Sequence, residues 1–204
     1  MPSYTFAPLR LAALVFAFAA GSSYAAPEPP IAVCAGCHGA AGEGSITGAA
    51  RLAGKNPDYL AHALSMFKAG TRAGDTMQAV ARDLSDSDMR ALADYFSKLQ
   101  PPRPVGAPVP APGLVAAGKQ LAEAGAGPEL AACFSCHATG GKGNGARFPA
   151  IAAESEAFLV NRLHAFQARA KAGPPAPGSM TAVASHMTES QVQQAAAYLS
   201  QLVP

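Results

Sequence analysis

Apolar residues recur at helical spacing in two stretches of the first half of the chain. The first stretch follows Asn56 and Pro57, a pair that favours a helix start, and it ends near Gly70. The second follows Ser85-x-x-Asp88, which resembles a capping box. We therefore predict two amphipathic helices. Their apolar stripes are Leu60, Leu64 and Phe67 in the first, and Met89, Leu92, Ala93, Phe96 and Leu99 in the second.

The second half of the chain repeats this arrangement. Ser155 precedes one apolar stripe, and Thr188-x-x-Gln191 precedes the other. Because no segment of useful length alternates apolar and polar residues with a period of two, we predict no strands. The predicted fold class is all-α. The stripes are Leu159, Leu163 and Phe166, and then Val192, Ala195, Ala196, Leu199 and Leu202.

The two halves are copies of one unit. Cys34 and Cys133 are separated by 99 residues, and the same offset relates Tyr59 to Phe158. Toward the end of each half the offset becomes 103, so the second copy contains four extra residues. They fall in "AGPPAPGS" (172–179), whose composition predicts a loop.

A proline-rich segment, "QPPRPVGAPVPAPG" (100–113), separates the two copies. Its six prolines disfavour a helix and favour an extended, semi-rigid spacer. We therefore predict a first domain at 26–99, a linker at 100–113 and a second domain at 114–204.

The start of the chain predicts an export signal. Arg10 precedes the apolar run Leu11–Ala20, and small residues lead to a cleavage point after Ala25. The run has half of the roughly 20 residues that span a bilayer, which favours a signal peptide at 1–25 over an uncleaved anchor. The formal net charge is +2 without a basic cluster, which argues against a nucleic-acid partner. We predict a mature protein that is soluble and lies outside the cytoplasm.

All four cysteines lie in two copies of Cys-x-x-Cys-His, at 34–38 and 133–137. This pattern is the attachment signal for c-type haem. Two thiols one helical turn apart can each form a thioether with a haem vinyl group, and the next residue offers an imidazole nitrogen to the iron. The predicted thioether residues are Cys34, Cys37, Cys133 and Cys136, and the predicted axial histidines are His38 and His137.

Other uses of paired cysteines fit less well. A thioredoxin-type redox pair belongs beside a βαβ unit, and no strands are predicted. A structural zinc site would need both pairs close together, although 99 residues and a proline-rich segment separate them. Two disulfides would suit an exported protein, but they leave both histidines unexplained.

The sixth iron ligand distinguishes an electron carrier from a catalyst, because a methionine sulfur closes the position that a reaction would use. Met77 and Met180 occupy equivalent loop-like positions, in "AGTRAGDTM" and "AGPPAPGSM", and are the candidate ligands. Met66 and Met89 lie in predicted helices, and Met187 aligns with a leucine, so packing explains all three. No role is assigned to His62, His164 and His186.

These features resemble the class I cytochromes c, and most closely the two-haem cytochrome c4 type. The resemblance rests on "CAGCHG", "RLAGKNPDYLAHALSMFKAGTRAGDTM" and "LSDSDMRALADYFSKL", with their second-half versions, and covers nearly the whole mature chain. It implies two tandem domains, each wrapped around a covalently attached haem. It also implies that His38 pairs with Met77, and His137 with Met180, as axial ligands.

The resemblance further implies a periplasmic carrier of single electrons between respiratory-chain partners, such as quinol-cytochrome c reductase and a terminal oxidase. Membrane association would be at most peripheral. A dedicated cytochrome subunit of a periplasmic dehydrogenase fits the same residues. A haem peroxidase would need an open sixth position, and a disulfide-stapled binding module would carry no haem. No catalytic residues are predicted.

The two copies differ around the haem motif. Similar proteins orient the ligating histidine with the carbonyl of a proline; Pro149 fits this place, whereas the first copy has Ala50. The first copy also begins almost at its motif, leaving little room for a preceding helix. We therefore predict a more exposed first haem and unequal redox potentials.

Overall fold

The computed structural model describes residues 1–3 and 29–203. The signal-peptide prediction falls almost entirely outside these residues. The described residues contain no β-strand, and one isolated bridge joins Asn144 to Phe148. None of the helices in this part of the chain has the length and apolarity needed to cross a bilayer. The predicted all-α fold class is confirmed.

The helices follow the repeat. In the first half they are α1 (Ile31–His38), α2 (Pro57–Lys68), α3 (Asp75–Arg82) and α4 (Asp86–Ser97). In the second half they are α5 (Pro112–Ala124), α6 (Cys133–His137), α7 (Glu156–Ala172), α8 (Met180–Ser185) and α9 (Glu189–Gln201). A short 3-10 helix, Thr139–Gly141, follows α6.

The predicted caps form where the sequence placed them. The Asn56 side chain accepts a hydrogen bond from the amide of Tyr59 at 3.1 Å and begins α2. Ser155 accepts from the amide of Phe158 at 3.2 Å and begins α7. Each cap satisfies an amide that the first helical turn leaves without a partner.

The two last helices begin with complete capping boxes. Ser85 and Asp88 exchange side chain to backbone hydrogen bonds at the start of α4, and Thr188 and Gln191 do so at the start of α9. Both helices are thereby fixed in register, so their apolar stripes face the core. The buried members are Met89, Leu92, Ala93 and Phe96 in α4, and Val192, Ala195, Ala196 and Leu199 in α9.

The second half contains a helix, α5, that has no counterpart in the described part of the first half and that packs on α9. Helix α5 precedes the second motif, as the available length predicted, and it crosses α9 at the buried residue Gly118. A Cβ atom at this position would overlap the backbone oxygen of Gln194. Only a glycine therefore lets the two helices approach so closely.

The four extra residues of the second half lengthen a helix instead of a loop. Helix α7 has 17 residues, whereas its counterpart α2 has 12. The sequence "QARAKA" (167–172) continues α7 because it consists of strong helix formers. Residues 173–179 form the loop that the composition predicted. The prediction that the extra residues fall in this loop is wrong, because they lengthen α7.

The proline-rich segment is held against both halves. Arg51 donates hydrogen bonds to the carbonyls of Pro101 and Pro102 at 2.6 and 3.2 Å, and Arg103 donates to the carbonyl of Ser200 at 3.0 Å. The segment lacks helix as far as Ala111, but Pro112 begins α5. The prediction that prolines exclude a helix up to residue 113 failed there, because proline fits the first helical position.

Candidate haem sites

Each Cys-x-x-Cys-His motif occupies a helix of its own. Cys34, Cys37 and His38 form the last turn of α1, and the second motif constitutes the whole of α6. Residues three apart lie on the same side of a helix. None of the four cysteines forms a disulfide with another. Both motifs therefore present two thiols side by side, with a histidine directly after them.

Both histidines are oriented by a backbone carbonyl. His38 Nδ1 lies 2.7 Å from the carbonyl oxygen of Ala50, and His137 Nδ1 lies 2.7 Å from that of Pro149. Because a carbonyl can only accept, Nδ1 carries the proton and Nε2 keeps its lone pair. This is the tautomer that a metal-ligating histidine needs. Alanine thus serves as well as proline in this role, as its backbone carbonyl predicted.

The two histidines differ in exposure. His137 is 5% exposed, whereas His38 is half-buried. Burial lowers the pKa of His137, the positive charge of Lys55 acts in the same direction, and the hydrogen bond to Pro149 opposes both. The neutral imidazole, which is the form that binds iron, is favoured at this site.

A cavity of about 390 Å³ lies beside the second motif. Cys133, Cys136, His137, Pro149 and Met180 all line it, so the predicted second-site residues meet in one place. The rest of its wall is largely apolar. Apolar lining residues include Leu121, Leu130, Ile151, Phe158, Leu159 and Val183.

The two candidate methionines occupy helix starts. Met180 is the first residue of α8 and faces the cavity. Met77 is half-buried in the first turn of α3. The loop positions predicted for both methionines are therefore wrong. Helix α3 begins earlier than expected because Gly74, with φ of +143°, turns the chain into the helix and Asp75 favours the first turn.

The residues that the sequence set aside behave as packing or surface residues. Met89 and Met187 are 4% and 8% exposed and belong to apolar clusters. His164 and His186 pair with exposed glutamates at 2.8 and 2.9 Å. Met66 is half-buried and lines the second-half cavity from the first half, a position that the repeat did not indicate.

Comparison with known proteins agrees with this geometry. Residues 115–203 match the family model for cytochrome c, and residues 31–96 match that for cytochrome c oxidase, cbb3-type, subunit III. A thiosulfate dehydrogenase electron acceptor from Thiomonas intermedia is 39% identical over 90% of this chain and 84% of its own length. A cytochrome c4 from Thiocapsa roseopersicina is 32% identical over 83% and 87%, respectively. The chain belongs to the class I cytochromes c, as a cytochrome c4-like member.

Solved structures share the fold of this cytochrome. Reduced cytochrome c4 from Pseudomonas stutzeri superposes with a TM-score of 0.71 at 29% identity, covering 84% of this chain and 94% of the other. Thiosulfate dehydrogenase from Marichromatium purpuratum gives 0.74 at 38% identity and covers 83% of this chain. This cytochrome spans 36% of that longer chain. It is a dihaem electron carrier made of two tandem cytochrome c domains, with two covalently bound haems c.

Two arginines provide an independent test of whether the cavity suits a haem. Arg72 comes from the first half, is 7% exposed and lines the second-half cavity. Its Nε has no hydrogen-bond partner among the described residues. Burial and the nearby Arg72 charge lower the pKa of Arg162, which lines the same cavity, to about 10. Arg72 is buried and Arg162 is half-buried. Two such cations with an unmatched donor suit an anionic ligand, and a haem carries two carboxylates.

Sequence reasoning missed these arginines, and the reason is physical. Each lies near an aromatic ring in its own half: Arg72 is 4.6 Å from the Phe67 ring and Arg162 is 4.4 Å from the Phe166 ring. In the sequence each is a single basic residue in or beside a helix, which usually indicates a surface. Their shared position against one cavity arises only from the packing of the two halves.

The site therefore combines all the parts that a c-type haem requires. When bound, haem supplies one-electron iron chemistry. The chain contributes thiols for attachment, an imidazole in the correct tautomer, a methionine facing the cavity, an apolar wall and two arginines. No proton donor or acceptor for a bound substrate is needed for this function.

Proposed function

We propose that this cytochrome accepts electrons from a periplasmic dehydrogenase that oxidises thiosulfate. The observation that supports this is the pair of haem motifs, each with a carbonyl-held histidine, in a chain 38–39% identical to proteins named for thiosulfate dehydrogenase. In the Marichromatium purpuratum protein, a region equivalent to most of this chain belongs to one longer polypeptide. A separate chain of the same fold would receive electrons by docking.

The proposal includes the bonds to each haem. The thiols would form the thioethers, and both irons would be six-coordinate, which leaves no open position for peroxide. The half-buried Met77 and the cavity-lining Met180 support their assignment as sixth ligands. The proposed axial pairs are His38 with Met77 and His137 with Met180. The proposed thioether residues are Cys34 and Cys37, then Cys133 and Cys136.

The proposed compartment is the periplasm. It follows from the export signal predicted at 1–25 and from haem attachment through cysteines, and the proposed cleavage point is after Ala25. The proposed domain boundaries remain 26–99, 100–113 and 114–204. Helix α5 begins inside the proposed linker, so the folded second domain starts a little earlier than residue 114.

A carrier between quinol-cytochrome c reductase and a terminal oxidase is the second candidate. The match of residues 31–96 to an oxidase subunit model favours it, as do the relatives named cytochrome c4. Both candidates use the same two haems and differ in the electron donor. We rank the dehydrogenase first because the Thiomonas intermedia acceptor is 39% identical, compared with 32% for the Thiocapsa roseopersicina cytochrome c4.

The test is reduction of the oxidised dihaem protein by purified thiosulfate dehydrogenase and thiosulfate, followed by the absorbance of the reduced haem. We expect both haems to be reduced at a rate that depends on enzyme concentration, with none reduced when either enzyme or thiosulfate is omitted. If reduced quinol-cytochrome c reductase reduces the protein and the dehydrogenase does not, the second candidate replaces the first. Near-stoichiometric carbon monoxide binding to the reduced protein would contradict both.

A further inference from the structure

A buried ion pair joins the two halves at equivalent positions of the repeat. Lys55 and Glu154 are 99 residues apart, and their Nζ and Oε1 atoms lie 2.6 Å from each other. Their side chains are 6% and 1% exposed. Each follows a residue with left-handed backbone, Gly54 with φ of +73° and Ala153 with φ of +57°. The same turn in both loops thus brings opposite charges together.

The carboxylate of Glu154 is connected to the first histidine through one peptide group. Its Oε2 accepts a hydrogen bond from the amide of Arg51 at 2.9 Å. That amide belongs to the peptide whose carbonyl, on Ala50, accepts from His38 Nδ1 at 2.7 Å. Hydrogen bonds in such a chain polarise one another. A carboxylate on the amide therefore makes the Ala50 oxygen a stronger acceptor for His38.

The ammonium group of Lys55 lies beside the second histidine. Lys55 Nζ donates to the carbonyl of Ala150 at 2.7 Å, and Ala150 directly follows the residue that holds His137. Lys55 and Glu154 both line the second-half cavity. The Lys55 charge therefore lies on the backbone segment whose carbonyl orients His137.

The guanidinium of Arg51 does not replace Lys55 in this arrangement. It donates to the carbonyls of Ala53, Pro101 and Pro102 and makes no hydrogen bond to the carboxylate. Burial lowers the pKa of Arg51, and the charge of Glu154 acts in the opposite direction. Oε1 of Glu154 has no aligned hydrogen-bond donor among the described residues, so its contact with Lys55 is mainly electrostatic. The pair is therefore a local dipole between the two halves.

We propose that Lys55 and Glu154 are positioning residues that set the two haem potentials across the domain boundary. Glu154 of the second domain strengthens electron donation by His38 and lowers the potential of the first haem. Lys55 of the first domain places a positive charge beside His137 and raises the potential of the second haem. Each domain thus tunes the haem of the other.

The experiment measures the potential of each haem separately, by redox titration followed by NMR of the haem methyl groups. Glu154→Gln keeps an acceptor for the Arg51 amide but removes the charge. We expect the potential of its first haem to rise by about 59 mV, which corresponds to a tenfold change in the equilibrium constant for exchange of one electron. Lys55→Gln should lower the second-haem potential by a comparable factor.

The double variant Lys55→Gln/Glu154→Gln keeps the net charge of the protein and avoids leaving one buried charge unpaired. We expect the two potentials to move closer together. The equilibrium constant for electron transfer between the two haems should fall by more than tenfold. Glu129→Gln is the matched control, because it removes an equally negative but exposed carboxylate. It should leave both potentials unchanged.

A pair that only joins the domains would give a different result. The double variant would then unfold at a lower temperature, while neither potential changed by more than a factor of two in the electron-exchange equilibrium constant. This outcome overturns the proposal. Movement of the second haem instead of the first in Glu154→Gln would also overturn it. The inference rests on His38 and His137 as ligands, which the NMR signals of coordinated imidazole in the wild type check separately.

Discussion

The crossing of α5 and α9 provides a prediction about stability that the structure makes quantitative. Gly118 is buried where α5 touches α9, and a Cβ atom there would lie 2.7 Å from Tyr198 Cβ and overlap the Gln194 backbone oxygen. Backbone cannot rotate aside as a flexible side chain can. Gly118→Ala must therefore push the two helices apart.

The magnitude follows from two opposing effects. Overpacking of a well-packed contact costs about 3 kcal/mol in a severe case, and alanine recovers about 1 kcal/mol of helix propensity relative to glycine. The expected net loss is about 2 kcal/mol. For a domain of this size, each kcal/mol shifts the melting temperature by roughly 4–8 °C, so the second domain should melt about 8–16 °C lower.

The assay is thermal and denaturant unfolding of the dihaem protein, followed by far-UV circular dichroism and by haem absorbance. Gly113→Ala is the matched control, because Gly113 lies in the same helix with no atom within 4 Å of its added Cβ. That variant should be neutral or stabilised by up to about 1 kcal/mol. Equal melting temperatures for the two variants would refute the close-approach argument.

Three further predictions concern the first motif, the buried arginine and a helix cap. Ala50→Pro should keep the His38 bond, since Pro149 makes the equivalent bond at the same distance, and should stabilise the protein by about 0.4–1 kcal/mol; a lower denaturant midpoint would contradict this. Arg72→Gln removes a buried positive charge beside the cavity, so it should lower the potential of the second haem in a titration that resolves the two haems. An unchanged potential would argue against a haem carboxylate bound to Arg72. Hydrogen bonds from Ser85 hold the pKa of Asp88 below its usual 3.8, so the stability that this carboxylate contributes is present above that pH and is lost as the pH falls below it. Asp88→Asn should therefore make the free energy of unfolding depend less on pH in that range. A variant whose free energy of unfolding falls with pH in parallel with the wild type would contradict this.

The helix caps were the most predictable part of the fold. Asn56, Ser155 and the two capping boxes act within three residues of themselves, so the chain needs no distant contact to form them. The haem motifs were predictable for the same reason. Their thiols and histidine lie in one helical turn.

The errors occurred where local composition and helix geometry disagree. Proline at Pro112 looked like a helix breaker but occupies a first helical position, where its missing amide costs nothing. Met77 looked like a loop residue because it lies in the segment "AGTRAGDTM" between two predicted helices, yet Gly74, with a positive φ, starts a helix there. Composition alone does not show whether a proline or glycine ends a helix or begins one.

Contacts between the halves could not be predicted from the sequence. Lys55 and Glu154 occupy equivalent positions of the two copies and carry opposite charges, but nothing in their spacing of 99 residues indicates that they touch. Arg72 reaches a cavity that belongs mostly to the other half. Such contacts depend on how two folded units dock, and this is set by surfaces drawn from distant parts of the chain.

The central claim, two haems each held by a histidine and a methionine, is tested most directly by the absorption spectrum of the oxidised protein. The weak long-wavelength band of a ferric haem bonded to methionine sulfur should be present in the wild type. Met77→Ala and Met180→Ala should each remove about half of it, and the control Met66→Ala should leave it intact. A wild-type spectrum without this band, or loss of the band in Met66→Ala, would contradict the account.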